Sequence, residues 1–207
     1  MRLLRQIAIG TMAVMACASV AAGTAQASPR SAVASVTASK VTVHEVKVPM
    51  KLEGFNAAVA KRNGYSILKN AEGQQYAVKL NAKGQEIAST ATPDASVCGD
   101  SYIEYDAIGN KQAIVFSGWS LDDGYTADFF TWDIIAVDSA GTGSKNFYGN
   151  PTQQGGTPTN WYIPTGWLTT HSVTGSSYAE VTAGQILLTN GGVCDAPLPI
   201  VDYTTLY

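Results

Sequence analysis

The 207 residues are 45% hydrophobic and only 14% charged, with a net charge of −3. That is enough apolar material for a packed core and too little charge for a disordered chain. It leaves no broad basic surface for nucleic acid, and beyond an N-terminal apolar run no stretch approaches the length of a membrane span.

The chain opens on Arg2 and Arg5, runs through an almost uncharged apolar stretch over residues 7–22, and reaches Ala25-Gln26-Ala27, small residues at the two positions a signal peptidase reads. Residues 1–27 are therefore expected to be a signal peptide, which predicts a secreted or extracellular protein that begins at Ser28. Cys17, preceded by Val14-Met15-Ala16, offers the alternative of a lipid anchor. Export leads to an oxidising space, and with Cys17 in the leader only Cys98 and Cys194 remain, so a disulfide between them is predicted. Two cysteines without a nearby histidine cannot supply the four ligands of a zinc site, and the sequence points to no cofactor.

Residues 28–93 contain nine basic and four acidic side chains, whereas residues 94–207 contain two basic ones, Lys111 and Lys145, and twelve acidic ones. This reversal, with a polar seam over residues 89–93, predicts a boundary near residue 93. Residues 28–52 are rich in Ser, Ala, Val and Thr and are expected to form a disordered or loosely ordered arm, although residues 41–48 alternate as an edge strand does.

Residues 53–93 read as a helix plus a β-meander. Over residues 53–62, Phe55, Ala58 and Val59 share a helical face, Lys61 and Arg62 sit at the negative end of the dipole, and Asn63-Gly64 supplies a left-handed cap. The period then changes to two. Short strands over residues 65–69, 75–80 and 85–88 are separated by turns that open on Asn70 and Asn81 and end on Gly73 and Gly84.

Residues 94–207 alternate short β-branched and aromatic runs with Gly, Asp and Asn turns. Strands are predicted near residues 101–105, 112–121, 126–138, 144–148, 161–173, 177–182, 185–189 and 200–206. That pattern predicts a mainly β fold, an antiparallel β-sandwich or jelly-roll-like domain closed by the disulfide. Phe130, Trp132, Ile134 and Ala136 fall on one face of a central strand, and the disulfide ties the first strand of this domain to the last but one.

Chemistry is harder to read. Gly99-Asp100-Ser101-Tyr102 opens like the GDSL esterase signature, but no Asp stands three residues before His171, the one histidine of this domain, so a serine nucleophile lacks its base and orienting group. Asp133, Glu104 and Glu180 could assemble a carboxylate pair of the glycosidase kind. No Asp-x-Asp-x-Asp-Gly calcium loop is present. The most suggestive feature is aromatic: Trp161, Tyr162 and Trp167 follow an exposed Gly, Pro and Thr-rich loop and are flanked by Gln153 and Asn160, a mixture that suits a sugar ring. The competing reading buries the indoles and makes His171 a satisfied core histidine.

Gly64 to Ile67, Gln75 to Val78, Cys98 to Tyr102 and Gly191 to Cys194 together resemble short motifs of small secreted actinobacterial proteins with a disulfide-closed β-domain, over residues 55–195. The resemblance implies export and a β-domain and carries no catalytic residue. Three functions are thus expected in turn: a secreted non-catalytic β-module that binds an extracellular polysaccharide or protein partner, a secreted hydrolase using His171 or a carboxylate pair, or a structural cell-surface protein.

Overall fold

Period-two alternation builds nearly all of the molecule. The computed structural model describes residues 44–87 and 97–207, all within the unit Val41–Tyr207. The expected signal peptide, Cys17 and most of the expected arm lie outside the described residues. In chain order the elements are β1 (Glu45–Phe55), α1 (Ala57–Arg62), β2 (Tyr65–Lys69), β3 (Gln75–Leu80), β4 (Glu86–Ile87), β5 (Val97–Gly109), β6 (Gln112–Leu121) and β7 (Ala127–Asp138). They continue with β8 (Gly141–Gly149), a 3-10 turn (Pro151–Gln154), β9 (Asn160–Tyr162), β10 (Trp167–Thr170), β11 (Gly175–Leu188), β12 (Gly192–Asp195) and β13 (Ile200–Leu206).

One curled antiparallel sheet runs β10-β6-β5-β1-β12-β11-β7-β8, with β13 also on β11 and β9 also on β6; β2, β3 and β4 form a small meander apart from it. This is the expected antiparallel β-sandwich-like domain. Its core is filled by alternate residues: Ile103 and Tyr105 from β5, Val115 and Trp119 from β6, Phe130, Trp132 and Ile134 from β7, all buried. Trp132 Nε1 donates to Ser117 Oγ at 2.9 Å, which bridges β7 to β6 across the interior.

The predicted disulfide is present and fixes a corner of the sheet. Cys98 on β5 and Cys194 on β12 flank the same strand, β1, since Lys51 is paired with both Val97 and Asp195. Two strands separated by one other stand about 9.5 Å apart in a flat sheet. The two Cα atoms are 6.0 Å apart, so the sheet folds sharply about β1. The register shifts at Met50/Lys51 and at Leu52/Gly54 mark the places where β1 bends.

Three expectations need correction. Residues 45–52 are not a loose arm but most of β1, and this strand joins β5 to β12, so part of the chain before residue 93 belongs to the large sheet. The helix begins at Ala57, not at residue 53, because pairing with β12 draws residues up to Phe55 into β1. Asn56 is then the N-cap, its side chain accepting from the N–H groups of Ala58 and Val59. Finally, the strands predicted over residues 177–182 and 185–189 are one strand, β11, which ends at Leu188. β11 passes through Ala183-Gly184 with a register shift against β7 instead of turning. Gly184 is needed there: a Cβ would lie 2.8 Å from the Trp132 ring.

A cluster of acids on β5 predicts a pH dependence. Glu104 is paired across the strands with Glu45 of β1. Burial, then the hydrogen bond to and charge of Asp106, then the charges of Glu45 and Asp202, push its carboxyl up to about 7. Between the ordinary glutamate value of about 4.3 and 7 the folded state binds more protons than the unfolded one, so stability falls as pH rises through that window. Glu104→Gln is expected to flatten this slope and to raise stability at pH 8 by an amount of order 1 kcal/mol, given the partial exposure of the side chain. Urea unfolding at pH 5 and pH 8 measures both; an unchanged slope would assign the effect to other groups.

Candidate functional site: the seam between the sheet edges

Among the described residues the curled sheet does not close: no strand is hydrogen-bonded between its terminal strands β8 and β10, and side chains clasp the seam instead. At one end Phe147 of β8 meets Trp161 of β9, with ring centroids 4.9 Å apart. In the middle, the Trp167 indole packs against Gly143, where a Cβ would be 3.4 Å from the ring. At the other end Asp138 Oδ2 receives a hydrogen bond from His171 Nδ1 at 2.7 Å.

Beside the last two clasps lies a half-open cleft of about 340 Å³, walled by Asp138 and Ala140–Gly143 on one side and Trp167–Ser172 on the other. The phase of β10 explains why: Trp167, Thr169 and His171 lie two residues apart and share the inward face, while Leu168 is exposed.

The floor of the cleft is a closed hydrogen-bond network. Ser177 Oγ donates to the Val137 carbonyl at 2.7 Å and Thr169 Oγ1 to the Ala113 carbonyl at 3.0 Å. Both hydroxyls therefore face the network as acceptors. Tyr105 Oη is 2.8 Å from Ser177 Oγ and 2.9 Å from His171 Nε2, and Thr169 Oγ1 is 2.8 Å from the same nitrogen. Every donor finds an acceptor when His171 donates from both ring nitrogens; if Nε2 instead accepts, the Tyr105 hydroxyl turns to donate to it. Either way Nε2 is occupied by buried groups. The His171 and Asp138 side chains are only 7% and 5% exposed.

Asp138 is held as a carboxylate. The N–H of Ala140 donates to Oδ1 at 2.6 Å, with His171 and the N–H of Gly141 adding to it, and together they keep the carboxyl below the ordinary aspartate range against the effect of burial.

This geometry separates the residues singled out in the sequence. Trp161 is not part of an exposed platform: it is 1% exposed, stacked 4.7 Å from Phe130, and its Nε1 donates to the Gln154 carbonyl. Tyr162, its neighbour on β9, points the other way and is 49% exposed. Gln153 is exposed on the 3-10 turn, and Asn160 accepts from Thr157 Oγ1. The five residues do not converge on one surface, and Trp167 alone lines the cleft.

Ser101 is fully buried and donates to the Val48 carbonyl, and it is not among the hydrogen-bond partners of His171, so the two do not form an esterase pair. Glu104, Asp133 and Glu180 do not line the cleft. The residues that sequence reasoning missed are Asp138, Tyr105, Ser177 and Thr169. The signal for Asp138 was local, an Asp followed by Ser-Ala-Gly at a hairpin, and it reads as a turn until the distant His171 is placed beside it.

Fold and seam define a disulfide-closed antiparallel β-module with one edge-to-edge cleft. Comparison with known proteins gives no matching family model, no matching curated protein and no matching solved structure. Among the described residues no helix is long and apolar enough to cross a membrane.

Proposed function

We propose that this chain is an exported, non-catalytic β-module that holds its ligand in the seam cleft. The observation that carries the reading is the pairing of an open cleft with a locked floor. A general base needs a nitrogen lone pair facing the substrate, and both nitrogens of His171 are spent on Asp138, Tyr105 and Thr169. What remains accessible among the lining residues is recognition surface: the half-buried Trp167 indole, the exposed Thr142, and the exposed backbone at Gly141–Gly143. Export rests on the leader-like residues 1–27 and agrees with the Cys98–Cys194 disulfide.

The test is an amide NMR titration with solubilised cell-wall and plant-wall fractions. Shifts confined to Gly141–Gly143, the Trp167 indole and Thr170, with no release of reducing ends or acyl groups, are the expected result. Shifts centred on the exposed Tyr203 or Tyr162, or product release that His171→Ala abolishes, would move the function elsewhere.

A further inference from the structure

We infer that the ligand of the seam cleft is an uncharged sugar ring, seated against Trp167 and hydrogen-bonded by hydroxyls and backbone. This rests on the reading of the cleft as the ligand site and adds the chemical class. Of the residues that line the cleft, only Asp138 and His171 are ionisable, and they are bonded to each other. An ionic ligand would find no counter-charge in the cleft and would lose hydration on entry.

The remaining lining is polar without being charged, and it carries an aromatic wall. Thr142 offers a hydroxyl and Gly141–Gly143 and Thr170 offer backbone groups, which together can both donate and accept, and this suits a polyol better than a purely apolar ligand. The volume of about 340 Å³ lies at the low end of ligand pockets, room for a small ligand and not for a globular partner. Lys111 borders the site, its ammonium 3.0 Å from the Ser172 carbonyl, but its side chain is not among those lining the cleft.

Trp167 also supplies a selective reporter. Trp119, Trp132 and Trp161 are at most 1% exposed, so a ligand-induced change in tryptophan emission reads Trp167. The probes are cellohexaose, xylohexaose and N-acetylglucosamine hexamer as uncharged ligands, with a galacturonic acid hexamer and a mixture of tripeptides as the contrasting arms. At least one uncharged oligosaccharide is expected to shift the emission, and Trp167→Ala is expected to weaken its binding at least tenfold by calorimetry. Gly143→Leu plugs the cleft. Its Cβ meets the indole at 3.4 Å and its backbone is not in the left-handed region, so the larger side chain should cover or displace the ring and abolish binding, with retention of the fold checked by circular dichroism.

If the galacturonic acid hexamer binds as tightly, with Lys111→Ala removing it, or if only the tripeptides bind, the sugar class is wrong and the cleft stands. If no probe moves the emission, or binding survives Gly143→Leu, the sugar inference fails and the cleft reading fails with it.

Discussion

Replacing Cys98 and Cys194 together by alanine is expected to lower stability by about 4 to 5 kcal/mol and the unfolding temperature by roughly 10 to 20 °C. The bridge joins residues 96 apart in sequence, and the unfolded chain without it gains the corresponding loop freedom. The native state loses something as well. The two cysteines hold β5 and β12 at 6.0 Å across the bend in β1, beside the buried Met50, and without the bridge the bulged strand has to keep that corner folded. Alanine is the proper replacement, because a serine pair would bury two hydroxyls and add its own cost. Thermal unfolding followed by circular dichroism, with the native protein run beside the variant, measures the difference. A loss below about 1 kcal/mol would mean that the bulges alone set the corner.

The same bridge shows how far the sequence could be read. Its pairing was legible from cysteine count and the compartment expected from the leader-like residues 1–27, and the meander was legible because Asn-initiated, Gly-terminated turns state their geometry locally. The face of β7 was legible for the same reason, since Phe130, Trp132, Ile134 and Ala136 are two apart and all buried. What was not legible is set by distant partners. Residues 45–52 look like a weak edge segment, yet β1 becomes interior to the sheet because β5 and β12 supply the neighbours its alternation needs. Gly184 reads as a turn residue until Trp132 is seen lying on it. Trp161 and Trp167, six residues apart, look like one platform, but the break between β9 and β10 sends the first into the core and the second into the seam. His171 stands four residues after Trp167, so alternation alone puts the two on one face, while its partner Asp138 lies in a hairpin thirty-three residues earlier.

Asp138→Ala is expected to cost about 2 to 3 kcal/mol, because it leaves the buried Nδ1 donor of His171 without its acceptor at the end of the seam. Adding a second change shows where the cost lies. When both partners of a buried pair become apolar, much of the penalty disappears, so Asp138→Ala/His171→Leu should be less destabilised than the sum of the single variants by at least 1 kcal/mol. The effect of pH has a definite sign. The folded-state value of Asp138 is depressed, so its contribution is complete above the unfolded value of about 3.9 and disappears as pH falls through the lower folded one. Through this carboxylate, the gap between native protein and Asp138→Ala should thus narrow as pH falls below about 4. Urea unfolding at pH 7, 5 and 3 decides this. A gap that stays the same at pH 3 would locate the stabilisation in the shape of the hairpin, with the carboxylate–imidazole contact contributing nothing measurable. A gap that closes, together with loss of amide protection at Gly141 and Thr169 in the variant, would identify the pair as the clasp that holds the open edges of the sheet together.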